Sequence, residues 1–318
     1  MSLCASAELP TCLVLGGRGF IGSHLVDALL ARGHRVRCFD LPQAAPAREL
    51  ACDAAGLEFI DGDFGDEEAV AAALAGCELC YHLVCSSLPQ SSNADPVGDI
   101  ERNLLATLRF LNQAVKAGVR KVIFASSGGT VYGDPRRVPV EEGHGTDPRC
   151  SYGIAKLAIE KYLELYRQLH GLEYTVLRMA NPFGERQRIH ASQGAIAVFL
   201  GKVLRGETVE VWGDGSVVRD FIYIADVVAA FVAAQAHQGE ERIFNIGSGR
   251  GHSLNAVLDS IASVTGLPVL RRHLPGRAFD VPDNVLCIER ARRCLGWAPE
   301  WSFEAGLARF AQWLRQNP

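Results

Sequence analysis

The fold of this chain is decided by residues 16–22, which read GGRGFIG. They follow an apolar run at 11–15 that is typical of a buried parallel strand, and they precede apolar residues at helical spacing. Glycines at this spacing let the chain turn sharply and approach a pyrophosphate closely. A helix that begins here offers unpaired N–H groups and the positive end of its dipole to phosphates. We therefore predict a strand, a turn and a helix that together bind a dinucleotide.

The second strand indicates which dinucleotide binds. It is predicted at 36–39 and is followed by Asp40, where an acid can accept a hydrogen bond from a ribose 2′-hydroxyl. A carboxylate there repels a 2′-phosphate, so the pattern predicts NAD rather than NADP. Arg18 and Arg37 argue the other way, because a guanidinium near the ribose could accept that phosphate. A glycine-rich turn without any ligand is the remaining alternative.

The composition excludes several classes of function. The chain has 318 residues, 48% of them hydrophobic, and a net charge of −4, which suits one large α/β domain with a smaller lobe. There is no basic excess for nucleic acid and no apolar run near the roughly 20 residues of a membrane span. Residues 1–10 lack the basic flank and long apolar core of a signal peptide. We expect a cytoplasmic protein that binds neither nucleic acid nor a membrane.

Cysteine usage predicts free thiols. Most of the ten cysteines fall inside apolar strand patterns, where a thiol behaves as a small apolar side chain. Cys77 and Cys80 have the spacing of a metal or redox pair, but no second pair or histidine cluster completes a zinc site. We therefore predict a reduced protein without a metal.

Strands and helices alternate over the first half of the chain. Further strands are predicted at 57–60, 79–84, 121–125 and 174–178, and helices at 66–74, 100–117 and 152–170. This alternation predicts an α/β fold with a doubly wound parallel sheet of the Rossmann type. The rhythm changes after residue 184, and the chain is expected to return to the sheet at 220–232 and 244–247. We predict a Rossmann domain of residues 1–178 plus about 219–247, and a smaller, discontinuous C-terminal substrate lobe of about 179–218 plus 248–318.

A tyrosine and a lysine are the first candidates for catalysis. Tyr152 and Lys156 are four residues apart on a predicted helix and share one face. Since a free tyrosine has a pKa near 10, a lysine ammonium and a cationic nicotinamide beside it would be needed to favour phenolate. A solvated pair on an amphipathic helix is the alternative. The hydroxyls of Ser127 and Thr130 follow the fifth strand, at the edge of the sheet where such folds bind ligands.

Taken together, these motifs resemble the extended short-chain dehydrogenase/reductase family. Within this family, the chain most resembles the epimerase/dehydratase group. Within that group, it most resembles the NAD-dependent nucleotide-sugar 4-epimerases of the UDP-glucose/UDP-galactose type. The resemblance spans nearly the whole chain and rests on Gly16, Gly19, Gly22, Asp40, 63–64, Asn103, 126–133 (SSGGTVYG), Tyr152, Lys156, 181–184 (NPFG), 213–226, 245–247 and 295–297.

The resemblance implies a role for each matching residue. The residues that would bind NAD are Gly16, Gly19, Phe20, Ile21, Gly22, Asp40, Asp63, Phe64, Asn103, Tyr152 and Lys156. Tyr152 would be the base, with Lys156, Thr130 and Ser127 as the other catalytic candidates. The residues that would bind a UDP-sugar are Asn181, Arg219, Arg277, Asp280 and Asn284. The helices at 100–117 and 152–170 would pair with their copies in a homodimer.

One position departs from the family pattern. The epimerases carry a serine or threonine three residues before Val-Tyr-Gly, and this chain has Gly128 there. Thr130 or Ser127 would have to supply the missing hydroxyl. The related dehydratases carry Asp-Glu and the decarboxylases a glutamate just before Val-Tyr-Gly, whereas this chain has Gly129 and Thr130. The resemblance therefore favours epimerisation, which needs no such acid.

The predicted function is inversion of C4 of a UDP-sugar by an NAD-dependent epimerase, through a transient 4-keto sugar. The resemblance places this reaction in the synthesis of cell-surface polysaccharide precursors. Asn284 has a moderate side chain where relatives use bulk to limit sugar size, so N-acetylated sugars are expected to fit. The alternatives are an NAD(P)-dependent nucleotide-sugar 4-reductase or dehydrogenase, and a non-catalytic NAD-sensing protein.

Overall fold

The computed structural model describes residues 9–44, 54–89, 91–189, 194–276 and 281–317. In chain order the strands are β1 (Cys12–Leu15), β2 (Val36–Asp40), β3 (Leu57–Asp61), β4 (Leu79–His82), β5 (Lys121–Ser127), β6 (Glu173–Met179), β7 (Asn181–Phe183), β8 (Val209–Trp212), β9 (Val218–Tyr223), β10 (Ile243–Ile246), β11 (Gly251–Ser253), β12 (Arg271–Leu274) and β13 (Asp283–Asn284). The helices are α1 (Phe20–Leu30), α2 (Glu67–Leu74), α3 (Pro96–Asp99), α4 (Ala106–Ala117), α5 (Ser151–His170), α6 (Ala195–Leu204), α7 (Ile224–Ala236), α8 (Leu254–Thr265), α9 (Glu289–Leu295) and α10 (Phe303–Gln316).

The large sheet is parallel and has the order β10-β6-β5-β4-β1-β2-β3. The chain winds outward in one direction from β1 to β3 and in the other from β4 onward. Strand order therefore reverses between β1 and β4, and open α/β sheets bind ligands beyond the carboxyl ends of their strands at such a point. The predicted doubly wound Rossmann-type sheet is confirmed.

The side chains of each central strand alternate between two apolar layers. Cys12 and Val14 of β1 face the layer that contains α1 and α7, whereas Leu13 and Leu15 face the layer that contains α4 and α5. Because helices cover both faces, these strands are apolar throughout, and all four residues of β1 are fully buried. This rigid two-sided core fixes the carboxyl edge on which the candidate site is built.

A smaller lobe lies beyond that edge. Strand β9 pairs with β7, β11 and β13, and β8 pairs with β12. We expected the chain to return to the large sheet at residue 220, and for β9 this is wrong, since it belongs to the small sheet. The chain returns to the large sheet one element later, with α7, which packs against β5, β6 and α1. Strand β10 then joins the sheet beside β6.

The helix predicted at 100–117 begins earlier and is not uniform. It starts at Pro96, which suits the first position of a helix because it has no N–H to leave unpaired, and Asp95 caps it by accepting from the Gly98 N–H at 3.0 Å. A π-helical segment, Ile100–Leu105, then joins α3 to α4. From the sequence we also expect a loop that runs into a short helix at 41–51, and most of this stretch lies outside the described residues.

Candidate active site

The glycine-rich turn joins β1 to α1 as the sequence predicts. Gly16 has a φ of +81°, a backbone conformation that favours glycine. A Cβ on Gly22 would lie 2.1 Å from the Gly16 carbonyl oxygen, and one on Gly17 would lie 2.5 Å from the Cys38 sulfur. A side chain at 22 would therefore displace the turn, and one at 17 would displace Cys38 of β2.

The turn leaves a cradle that fits a pyrophosphate. Gly19 precedes α1, and no side chain caps this helix in the described structure. The first-turn N–H groups of Phe20, Ile21 and Gly22 therefore face the space in front of the helix. A helix end without a side-chain cap, beside a turn that only glycine can form, suits the phosphates of a dinucleotide.

Asp40 lies at the carboxyl end of β2, half-buried beside the turn. Its two carboxylate oxygens accept from the backbone N–H groups of Arg18 and Leu41, each at 2.9 Å. These bonds fix the carboxylate at the position where a ribose is expected. The second guanidinium considered from the sequence, that of Arg37, is turned away from this site. It binds Glu58 at 2.8 Å and two carbonyls at the end of α2.

Asp63 and Phe64 follow β3 but face different surroundings. Asp63 is exposed, and its Oδ1 accepts from the Gly65 N–H at 2.8 Å. The Phe64 ring is buried, 5.0 Å from the ring of His82 and 5.9 Å from that of Phe110. Of this pair, only the Asp63 side chain is open to a ligand.

Asn103 is buried in the π-helical segment, and its amide organises the loop after β4. Its Oδ1 accepts from the Ser86 N–H at 2.9 Å, while its Nδ2 donates to Ser87 Oγ at 3.1 Å and to Asp99 Oδ1 at 2.8 Å. Asp99 is fully buried and also accepts from Ser151 Oγ at 2.6 Å. Asn103 therefore holds this loop in place through contacts within the protein.

Tyr152 lies in the first turn of α5, close to Ser127 at the end of β5. Burial raises the pKa of Tyr152 well above its usual value, and the interaction with the Ser127 side chain lowers it only in part. The sequence predicts that Lys156 and a cationic nicotinamide together lower the pKa of this phenol, and for the protein with its cofactor this stays a prediction.

Lys156 lies one turn further along α5 and is buried. Its Nζ donates to the Ala125 carbonyl at 2.8 Å and lies 5.7 Å from the centre of the Tyr152 ring. Burial lowers the pKa of this ammonium. The structure thus brings Tyr152, Lys156 and Ser127 together at the carboxyl edge of β5.

Gly128 is where the sequence departs from the family pattern, and its surroundings give a physical reason. A Cβ at this position would lie 2.6 Å from Leu286 Cδ1 and 3.1 Å from the Arg178 carbonyl oxygen. Leu286 therefore occupies the space that a side chain at 128 would need. Thr130 lies just beyond, and its Oγ1 is buried without a hydrogen-bond partner among the described residues.

The residues expected to bind the substrate are only partly described. Asn181 donates from Nδ2 to the Asp220 carbonyl at 2.9 Å, and Arg219 donates from Nη1 to the Val281 carbonyl at 2.6 Å. Asn284 is buried on β13, and its Nδ2 donates to the Gly128 carbonyl at 3.3 Å. Arg277 and Asp280 lie outside the described residues, so their predicted roles stay predictions.

The sequence matches the profile of the NAD dependent epimerase/dehydratase family over residues 12–247. This match takes in the glycine cradle, Asp40 and the group formed by Tyr152, Lys156 and Ser127. The chain belongs to this family. Its members use NAD, so the preference for NAD predicted from Asp40 agrees with the family.

Three relatives within this family resemble the chain over almost its full length. A UDP-glucose 4-epimerase of Mycolicibacterium smegmatis is 37% identical over 309 residues, which are 96% of this chain and 98% of that protein. The UDP-glucose 4-epimerase of Thermotoga maritima, solved with UDP-glucose, is 36% identical with a TM-score of 0.91, over 96% of this chain and 99% of that one. The UDP-glucose 4-epimerase of Thermus thermophilus, solved with NAD, is 35% identical with a TM-score of 0.88 and the same coverage.

Sequence reasoning missed a buried ion pair beneath this epimerase/dehydratase site. Arg178 on β6 and Glu160 on α5 are 3% and 1% exposed, and their Nη2 and Oε2 atoms are 2.6 Å apart. Glu160 also accepts from Ser126 Oγ at 2.5 Å, beside the catalytic candidate Ser127. A signal for the pair was present, since Tyr152, Lys156 and Glu160 recur every four residues and therefore share one face of α5.

The described residues hold no group of three His, Cys, Asp or Glu side chains that could bind a metal ion. Within the same residues, Cys77 and Cys80 are buried free thiols, and burial raises the pKa of both. They therefore belong to the core of the Rossmann fold. Nor does the described part of the chain contain a helix long and apolar enough to cross a membrane.

Proposed function

We propose that this protein is an NAD-dependent epimerase that inverts C4 of a UDP-sugar through a transient 4-keto sugar. One observation carries the proposal: Tyr152, Lys156 and Ser127 meet at the same carboxyl edge of the sheet as the glycine cradle, while positions 129 and 130 hold no carboxylate. A tyrosine base with a lysine suffices to move a proton on and off a sugar hydroxyl. Elimination of water would need a further acid.

The residues of the chain have separate tasks in this reaction. Tyr152 takes the proton from the sugar 4-hydroxyl and returns it after the sugar has presented its other face. Lys156 keeps a positive charge near the phenol and is held in place by the Ala125 carbonyl. NAD bound at this site would supply the hydride acceptor and a second positive charge beside the phenol. Asp40 and the glycine turn would hold its adenosine and pyrophosphate.

Ser127 is the hydroxyl that we assign to relay this proton. Its side chain interacts with Tyr152, whereas Thr130 Oγ1 is buried and has no hydrogen-bond partner among the described residues. We expect Ser127→Ala to lower kcat by about 10²-fold, the low end of the range for positioned proton transfer. Thr130→Val should change kcat far less. Steady-state kinetics of both variants test the assignment, which the reverse ranking would contradict.

The reaction itself is tested with UDP-glucose. We expect proton NMR to detect UDP-galactose, with no net change in absorbance at the nicotinamide band because the cofactor is regenerated in each turnover. Consumption of NAD(P)H in proportion to the product would instead identify a 4-reductase. A protein that binds NAD but changes no UDP-sugar would support the non-catalytic alternative.

N-acetylated sugars are the second substrates that we propose. Asn284 is of moderate size, and its Nδ2 is directed to the Gly128 carbonyl. UDP-N-acetylglucosamine should therefore be converted in the same assay. Turnover confined to sugars without an acetamido group would refute this part of the proposal.

A homodimer is the assembly that the surface favours. Helices α3 and α5 and the π-helical segment expose a set of large apolar side chains, which are Val97, Ile100, Leu105, Ile154, Tyr162, Leu165 and Leu169. Light scattering should give the mass of two chains, and Leu165→Glu should reduce it to one. As a control, Leu270→Glu lies on the substrate lobe and should leave the dimer intact. A single-chain mass for the unchanged protein would contradict the proposal.

We place the domain boundary at the change of sheet. The Rossmann domain would comprise residues 1–179 and 224–247, and the substrate lobe residues 180–223 and 248–318. We also propose a cytoplasmic location. Free thiols at all eight described cysteines support it, because reducing compartments keep cysteines unpaired.

A further inference from the structure

Arg18 lies inside the glycine turn, and its guanidinium is held by a second carboxylate. Its Nη2 is 2.6 Å from Asp61 Oδ1 at the end of β3, and its Nη1 donates to the Leu41 carbonyl at 3.1 Å. The guanidinium also lies 5.1 Å from the centre of the Phe59 ring. With only 12% of its side chain exposed, Arg18 is fixed against the sheet, whereas Asp61 is 54% exposed.

The two carboxylates at this edge of the sheet have different partners. Asp40 and Asp61 are register partners on β2 and β3, so they lie side by side. Both oxygens of Asp40 accept from backbone N–H groups, one of them that of Arg18 itself. Among the described side chains, Asp61 is therefore the carboxylate that compensates the guanidinium charge.

We propose that Asp61 helps to set the preference for NAD over NADP by keeping Arg18 away from the 2′ position of the ribose. This inference rests on the proposed NAD site at Asp40. A guanidinium is well suited to bind a phosphate, and Arg18 is the cation nearest to that position on this turn. While it is paired with Asp61, the three side chains carry one net negative charge, which repels a 2′-phosphate. Without the Asp61 carboxylate that net charge is zero, and the Arg18 guanidinium is free to donate to the phosphate.

The test is a competition between the two cofactors on the full-length protein. The protein is incubated with equal concentrations of NAD⁺ and NADP⁺ until the bound ratio is constant, and the retained cofactor is released by acid and quantified by chromatography. For Asp61→Asn we expect the retained NADP:NAD ratio to rise about tenfold, because a charge a few ångströms from the phosphate has been removed. Titration of cofactor-free protein with each nucleotide should give the same ratio of Kd values.

Glu58→Gln provides the matched control. It removes a carboxylate from the same strand, 59% exposed and paired with Arg37 at 2.8 Å, but on the side away from Asp40. The NADP:NAD ratio that this variant retains should equal that of the unchanged protein. The double variant Asp61→Asn with Arg18→Gln should lose the gain, since the released donor is then absent.

The outcomes separate this inference from the proposed function. If the unchanged protein retains NAD⁺ and Asp61→Asn leaves the ratio unaltered, the role of Asp61 is overturned and the NAD site stands. If the rise in the NADP:NAD ratio persists in the double variant, the role of Asp61 is also overturned. If the unchanged protein retains neither nucleotide, the proposed NAD-dependent function fails first. The melting temperature of each variant verifies that it is folded.

Discussion

Replacing Tyr152 with phenylalanine is expected to lower kcat about 10³-fold while leaving KM for the UDP-sugar nearly unchanged. The ring would keep its place at the start of α5, so the substrate pocket would keep its shape. Only the hydroxyl close to Ser127 is lost, and with it the group that takes up and returns the proton. The lost hydroxyl acts in the transition state and not in binding of the substrate, so its removal lowers kcat.

Tyr162→Phe is the matched control for this variant. It removes a hydroxyl from the same helix α5, at a position 36% exposed on the apolar face. Its kcat, KM and melting temperature should match those of the unchanged protein. If Tyr152→Phe turned over UDP-glucose at the normal rate, the catalytic role proposed for this site would be wrong.

Replacing Arg178 with methionine is expected to lower the free energy of unfolding by about 3–5 kcal/mol. Arg178 and Glu160 form a pair in which both side chains are almost fully buried. Burial opposes the charged form of Arg178, but its bonds with Glu160 prevail and raise its pKa. Methionine would fill most of the space and leave the carboxylate without its cation in a dry core.

Urea unfolding followed by circular dichroism measures this change. Arg167→Met removes a similar pair with Glu164, but one that is partly exposed and should cost less than about 1 kcal/mol. Adding Glu160→Gln to Arg178→Met removes the stranded charge and keeps an acceptor for Ser126, so most of the loss should be recovered. Equal costs for Arg178→Met and Arg167→Met would contradict our account of the pair.

The parts of the fold that local pattern determines could be predicted from the sequence. The turn at 16–22, the acid at Asp40 and the group at Tyr152 and Lys156 each follow from spacing along one strand or helix. The alternation of apolar strands and helices likewise predicted the large sheet, because strands buried on both faces are apolar throughout.

What could not be predicted depends on contacts between distant segments. The pairing of Arg18 with Asp61 follows from the register of β2 and β3, and no spacing along the chain reveals it. The glycine at 128 suggests a missing hydroxyl in the sequence, and Leu286 explains it only once the lobe is folded over it. The sequence places β9 in the wrong sheet because a short apolar run does not specify which strands it pairs with.

The contact between β13 and the turn after β5 links the substrate lobe to the candidate catalytic turn. Asn284 bonds the Gly128 carbonyl, and Leu286 fills the space beside that same glycine. If the lobe swings outward, it must break this bond and withdraw the leucine together. Opening of the lobe would therefore also loosen the turn that carries Ser127 and Gly128.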